Sequence, residues 1–251
     1  MKKIFELTGL IILMLTSVII TNKTTQVVQE KDLLMTEIKT KSKLYNQPSQ
    51  PAIITNNTII PGIYGKKVNV KKSYDKMKKI GDFNENYLIY DYIEPSNTLN
   101  KHYDKYIING NKNTISLIFL LNDNENINKI LKILKINKTN ATFFINKIWF
   151  EKNKNLLNVI KNNNHTIGIL GINHNYNNKD FIKYNKELQK TINQEEIYCY
   201  YTENTDDLLA CKRQKNHTIK PNMEIKENPI RQIKEQIKPG NMITLSVNND
   251  T

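Results

Sequence analysis

Two short stretches hold the residue types that could perform metal-assisted hydrolysis. Asp123 and Glu125 follow an apolar run ending at Leu121, and His174 follows a second such run ending at Leu170. Carboxylates and an imidazole converging on one point can hold a divalent ion and activate a bound water. Asp123 lies two positions beyond Leu121, so a continuing strand would keep both on one face. One neutral histidine and loosely placed carboxylates form a thin donor set, and leucines occupy the neighbouring positions. The other histidines, His102, His165 and His217, are scattered among Lys, Asn and Tyr without metal-ligand spacing, and read as surface or hydrogen-bonded residues. Cys199 and Cys211 are twelve positions apart, which suits one disulfide or two independent buried thiols. There is no C-x-x-C spacing for zinc and no histidine paired with either thiol as a base. G-x-S-x-G, P-loop and G-x-G-x-x-G patterns are missing from the sequence, which removes support for those enzyme classes. Tyr198, Tyr200 and Tyr201 offer aromatic faces with hydroxyl tips, suited to sugar rings, although an ordinary strand or core packing would also use them.

The elements that must position these groups begin at Thr114. Ile115–Leu121 is almost continuously apolar, as in a strand covered on both faces, and Ile127–Ile136 carries a helical apolar stripe. Thr142-Phe-Phe-Ile145 is the next strand, Lys154–Lys161 the next helix and Thr166–Leu170 a third strand. Alternation at this spacing gives parallel strands with crossover helices, an α/β fold that is either a doubly wound sheet or a barrel. Upstream, residues 59–113 read as an accessory segment with a short strand at Val68–Val70, a helix from Ser73 to Ile80 and a strand at Tyr87–Ile93. Residues 22–58 are polar, interrupted by Gln47-Pro48 and Gln50-Pro51, and read as a stalk with one helix near Lys31–Ser42.

Met1-Lys-Lys3 followed by the apolar run Leu7–Ile20 has the form of an export signal. Counted from Ile4 to Thr21, the segment approaches the roughly 17 residues needed to span a bilayer. No A-x-A-like cleavage site follows. Residues 1–21 therefore read as a signal anchor, with the rest of the chain outside the cell membrane; a cleaved signal peptide and a secreted protein are the alternative. With 251 residues, 39% hydrophobic, the chain can bury a sizeable core, and its net charge of +13 would attract polyanions. Export argues against nucleic acid and leaves an anionic wall polymer as the expected polyanion, with a merely solvated basic surface as the plainer reading.

The strand at Thr114–Leu121, the run Ala141-Thr-Phe-Phe-Ile145, the stretch from His165-Thr-Ile-Gly168 to His174 and the closing Pro239-Gly-Asn-Met-Ile-Thr-Leu-Ser246 together resemble the polysaccharide deacetylase (NodB-homology) family. The resemblance covers residues 114–251 and implies a distorted (β/α) barrel of the NodB type, with incomplete C-terminal elements as one expectation. It also implies a reaction, hydrolysis of a carbon–nitrogen bond in an N-acetylated sugar. In that family an adjacent Asp pair supplies base and metal ligand, two histidines complete the metal site, and a distant histidine protonates the leaving amine. Carried onto this chain, the Asp pair becomes Leu120 and Leu121, the first metal histidine becomes Leu170, and the acid histidine becomes Ser246 or its neighbour. His174 remains as an orphan metal-ligand position, and Tyr198, Tyr200 and Tyr201 fall near the substrate loop. The resemblance thus implies a pseudoenzyme with no catalytic residues and no cofactor, binding or organising a cell-wall glycan or a protein partner. Zinc or a similar divalent ion is expected only if an atypical deacetylase survives around His174, Asp123 and Glu125; a purely structural surface domain is the third reading.

Overall fold

The computed structural model describes residues 11–12, 14–20, 32–110, 114–122, 127–171, 175–176, 179–225 and 229–247. They form two compact units, one from the N-terminus to Ser49 together with Tyr64–Glu94, the other from Gln50–Ile63 and Pro95–Thr251.

The smaller unit is built on helix α1 (Leu33–Tyr45), the antiparallel pair β3 (Gly65–Val68) and β4 (Tyr90–Ile93), and helix α2 (Val70–Met77). Asp32 starts α1, accepting the Leu34 amide at 2.8 Å with one carboxylate oxygen and the Tyr74 hydroxyl at 2.9 Å with the other. Leu34 and Met35 each lie about one helical turn before Ile38, and the three pack with Val68, Tyr74, Met77 and Leu88. The reading of residues 22–58 as a polar stalk is therefore corrected from Asp32 onward: the stripe on α1 is narrow, but it is enough to cover a small core. The accessory segment 59–113 is likewise divided, since 64–94 belong to this unit and the remainder supplies strands to the larger one.

The larger unit holds a ten-stranded sheet in the order β1-β2-β5-β10-β9-β8-β7-β6-β12-β11. Its members are β1 (Ile53–Ile54), β2 (Thr58–Ile60), β5 (Tyr106–Ile107), β6 (Ser116–Leu121), β7 (Thr142–Ile145), β8 (Thr166–Ile169), β9 (Tyr198–Tyr200), β10 (Thr218–Ile219), β11 (Met223–Ile225) and β12 (Met242–Ser246). Every neighbouring pair is parallel except β1 with β2. The connections carry helices α3 (Asn128–Ile136), α4 (Lys147–Lys152), α5 (Lys154–Asn162), α6 (Lys179–Ile192), α7 (Thr205–Arg213) and α8 (Pro229–Gln236).

The sheet is curled, which selects the barrel over the doubly wound alternative. Five strands separate β5 from β12 in the sheet order, yet the Gly110 amide donates to Gly240 O at 2.8 Å. Asn222 joins the same two regions, donating to Ile108 O at 2.5 Å and accepting from the Met242 amide at 2.7 Å. The concave side encloses Ile59, Ile107, Ile118, Phe144, Leu170, Ile219 and Met242, and the convex side packs against the helices through Phe119, Phe143, Ile145, Trp149 and Phe181. This is the distorted barrel that the sequence resemblance implies.

Of the apolar N-terminal segment, residues 11–12 and 14–20 are described; they are helical, with side chains from Ile11 (50% exposed) to Ile20 (64% exposed) uncovered. Among the described residues no helix is long and apolar enough to cross a membrane.

Candidate functional site

In a barrel of parallel strands, reactive groups are carried at the C-terminal ends of the strands. Strand alternation fixes which side chains reach the interior there. On β6, Ile118 and Leu120 join the interior cluster, while Phe119 and Leu121 join the core under the helices. Leu121 is completely buried in that outer core. This corrects the expectation that Leu120 and Leu121 both occupy site positions: only Leu120 faces the barrel interior.

Register places Leu120 beside Phe144, Phe144 beside Gly168, Gly168 beside Tyr198, and residue 246 on the other side of Leu120. A side chain at 168 has no room, because a β-carbon there would come within 2.5 Å of the Phe144 ring. Leu170 continues the row above, 3% exposed, with its amide bonded to Ile145 O at 2.9 Å. Next to it Tyr200 meets Phe144 edge-on at 5.2 Å and shares a 3.1 Å hydrogen bond with the hydroxyl of the buried Thr244. Burial raises the pKa values of both Tyr198 and Tyr200; for Tyr200 the bond to Thr244 opposes the shift. Both phenols are therefore neutral donors at physiological pH.

The predicted substrate tyrosines are split by the strand geometry. Tyr198 and Tyr200 pack on the interior cluster, whereas Tyr201 meets Tyr106 edge-on at 5.1 Å and lies 4.4 Å beneath the Lys220 ammonium. Tyr106, like Leu208 and Cys211, lines the space beside α7 rather than the interior.

The predicted ligand His174 lies outside the described residues, as do Asp123 and Glu125. The loop that carries His174 is fixed at both ends. At Gly171 a β-carbon would meet the Asn175 backbone at 2.8 Å, so only glycine fits there. At its far end Tyr176 is buried, accepting the Tyr200 amide at 3.1 Å with its hydroxyl lying 2.9 Å from Tyr200 O and 3.1 Å from Ile169 O. The Tyr176 amide in turn donates to Asp207 at 2.8 Å, and the Thr202 hydroxyl takes the other carboxylate oxygen at 2.7 Å. Asp207 sits in the first turn of α7, which Asn204 caps through the Asp206 amide at 3.0 Å. Cys199 of β9 and Cys211 of α7 are disulfide-bonded and buried, tying this helix to the sheet. Of the two cysteine readings, the bonded pair is the one adopted.

Sequence reasoning did not pick out Tyr176 or Asp207. A signal was present, because Asn204-Thr-Asp-Asp207 is a helix-start pattern, but nothing local tells an anchoring carboxylate from a solvated one.

Among the described residues, the other histidines belong to no group of three or more side chains that could hold an ion. His165 is buried and accepts the Ala141 amide at 3.2 Å, in keeping with a hydrogen-bonded role. His217 is also buried, stacked on Tyr103 at 4.1 Å, with neither ring nitrogen bonded to a protein atom; this departs from its reading as a surface or hydrogen-bonded residue. Burial lowers the pKa of both, and for His217 the neighbouring Glu196 opposes that shift while His102 adds to it.

The divalent metal implied by the resemblance can be tested against the donors present. Leu120 and Leu170 offer no lone pairs to the interior and Leu121 faces the helices, so the described residues do not fit it. Among the described residues no group of three or more His, Cys, Asp or Glu is placed to hold an ion.

The family model for polysaccharide deacetylase matches residues 108–237. The uncharacterised protein YlxY of Bacillus subtilis strain 168 is 36% identical over 164 residues, 64% of this chain and 50% of that protein, so the chain spans half the length of this curated relative. Among solved structures, wild-type BA3943 of Bacillus anthracis, a CE4 family pseudoenzyme, superposes with a TM-score of 0.64 at 22% identity, covering 88% of this chain and 86% of that one. A BA3943 mutant described as having restored enzymatic activity gives 0.64 at 22% identity, over 87% of this chain and 88% of that one.

Proposed function

We propose that this chain, which belongs to the polysaccharide deacetylase family, is a non-catalytic member that engages a cell-wall glycan through its barrel mouth while its N-terminal segment holds it at the outer face of the membrane. The observation that carries the reading is the pair Leu120 and Leu170, which make the interior ends of β6 and β8 apolar, Leu170 buried and Leu120 partly so. A metal-bound water needs charged or lone-pair donors at those points, and a dry apolar wall disfavours both the ion and the oxyanion it would stabilise. BA3943, to which the fold is similar, bears the description pseudoenzyme, and this supports the same reading here.

Glycan engagement rests on Tyr198 and Tyr200, neutral phenols that pack on the interior cluster and are partly exposed. Anchoring rests on Lys2, Lys3 and the apolar run Leu7–Ile20, and the net charge of +13 adds attraction to an anionic wall.

The test uses the full-length protein. Metal content, acetate release from chitooligosaccharides and retention on purified walls at low and high salt are measured together. The expected result is no stoichiometric zinc, no acetate above a protein-free blank, and wall retention that persists at high salt. Zinc bound at one per chain, with acetate release abolished by His174→Ala, would establish the atypical deacetylase instead. Retention lost at high salt reduces the wall contact to charge attraction.

A further inference from the structure

The smaller unit contains an open strand edge. Its sheet has two members, β3 and β4, and their outer sides are closed differently. On β3 the outer side is sealed. The Gln47 amide donates to Lys66 O and the Lys66 amide to Gln47 O, each at 2.8 Å, and the Val68 amide donates to Asn46 Oδ1 at 2.8 Å. On the outer side of β4 no strand pairs among the described residues.

The register fixes which groups that edge presents. The Asn69 amide donates to Ile89 O at 2.8 Å, while Lys66 and Val68 turn their amides away from β4. The bonded pairs of the ladder are therefore Lys67 with Asp91 and Gly65 with Ile93. The N–H and C=O groups of Tyr90 and Tyr92 consequently point outward. The side chains follow the same openness. Tyr90 and Tyr92 share a face of the strand; Tyr90 packs on the small core, whereas Tyr92 projects past it and is 75% exposed. Charges that would guard an edge strand are drawn inward instead. Asp91 accepts the Asn69 side-chain amide at 2.8 Å and lies 3.8 Å from the Lys72 ammonium, and the Lys66 ammonium sits 4.8 Å over the Tyr90 ring.

We infer that β4 pairs antiparallel with β4 of a second copy of this chain, about a two-fold axis at Tyr92. The edge is self-complementary in that register. Each Tyr92 exchanges both backbone bonds with its counterpart and sets ring beside ring, an aromatic cross-strand pair. Asp91 then stands opposite the half-exposed Ile93 of the second copy. Moving the axis to Asp91 would set two carboxylates against each other, which disfavours that register. Pro95, which has no amide hydrogen, ends the strand and keeps the contact short. An arbitrary extended peptide would satisfy the same backbone groups without supplying the matching ring. A second copy supplies both, and the contact closes as an isologous dimer rather than a fibre. This inference is independent of the readings of the barrel mouth and of the N-terminal segment.

The experiment uses the full-length protein in mild detergent. Analytical ultracentrifugation should show a dimer in equilibrium with monomer. Tyr92→Pro removes the outward N–H and spares the β3–β4 ladder, to which residue 92 contributes no bond. It should weaken the dimer at least about tenfold, the scale of two lost hydrogen bonds. Should that variant fail to fold, Tyr92→Lys sets like charges face to face across the axis and should weaken the dimer in the same way. Cross-linking then reads the position of the contact. The chain has two cysteines and both are in the buried disulfide, so Tyr92→Cys adds a single free thiol. A short bis-maleimide should join two copies of Tyr92→Cys and leave Ile136→Cys, an exposed position on the larger unit, as single chains. A monomer at the highest concentration reached, a dimer unmoved by both the proline and the lysine variant, or cross-linking at position 92 no greater than at position 136 overturns the proposal.

Discussion

Replacing Leu121 by Asp separates two accounts of the strand that should carry the site. If Leu121 were an emptied ligand position at the barrel mouth, a carboxylate would return to solvent and cost little. In the structure the side chain is completely buried beneath the helices, in the core that includes Ile145, Trp149 and Phe143. Losing a fully buried leucine removes about 1.5–3 kcal/mol of transfer free energy. Burying an unpartnered polar group adds about 1–3 kcal/mol. The expected loss is therefore roughly 3–6 kcal/mol, a large part of the ~5–15 kcal/mol that holds a domain together. Leu120→Asp is the control, because Leu120 is only partly covered and faces the interior; it should cost at least ~2 kcal/mol less. Urea unfolding followed by Trp149 fluorescence measures both, since the chain has this one tryptophan and it is buried in the core in question. With a slope of about 1–3 kcal/mol per molar, Leu121→Asp should lower the midpoint by roughly 2 M. If the mutant is insoluble, Leu121→Ala should still lose about 2–5 kcal/mol. A Leu121→Asp protein within ~1 kcal/mol of wild type, or no less stable than Leu120→Asp, would refute the assignment of Leu121 to the outer core.

Three other outcomes can be read with the same probe. Replacing Cys199 and Cys211 together by Ser should cost about 3 kcal/mol, the chain-entropy value for a short closed loop, and a midpoint unchanged under oxidising conditions would count against the bond. Gly168→Ala should destabilise by about 1–3 kcal/mol through overpacking against Phe144, and Phe144→Leu should relieve part of that loss in the double mutant. His165 and His217 have folded-state pKa values below their ordinary 6.5, so the native state resists a proton that the unfolded chain accepts. Their contribution is present above pH ~6.5 and is lost as pH falls through that value toward the folded pKa, with a slope of up to about 1.4 kcal/mol per pH unit for each. His165→Gln and His217→Gln should each flatten this acid limb, and an unaltered slope in both would remove the histidines as its cause.

The central strands were legible because each is short, apolar and bounded: the runs predicted at Ile115–Leu121, Thr142–Ile145 and Thr166–Leu170 appear as β6, β7 and β8 within a residue or so. The helices at 128–136 and 154–162 followed from their stripes. The continuous apolar character that identifies a strand covered on both faces also conceals its phase. Alternating polar residues would have shown that Leu120 and Leu121 face opposite ways; a Leu-Leu pair does not. Strands such as β5 and β10, two residues each, carry too little pattern to be recognised and exist through their neighbours. The smaller unit was hidden by composition, since Leu34, Met35 and Ile38 sit among Lys and Thr, and their partners lie some thirty or more residues away in the chain.

What fixes the loop of the candidate site bears on how the fold could outlive its chemistry. In a metalloenzyme the ion helps to tie ligand-bearing loops to the strand ends, and metal binding is coupled to folding. Here the tie is made by the protein: Tyr176 to β8 and β9, its amide to Asp207, and α7 to β9 through Cys199 and Cys211. That network is buried, so removing one member would leave another unsatisfied at a cost comparable to the bond itself. The loop's anchors therefore persist for reasons of stability, whether or not an ion is held. Interior positions at the strand ends have no such constraint, and a leucine there exchanges a desolvated polar group for apolar burial. Leu120 and Leu170 thus favour the fold by apolar burial at the interior ends of β6 and β8, where they offer an ion no lone pairs.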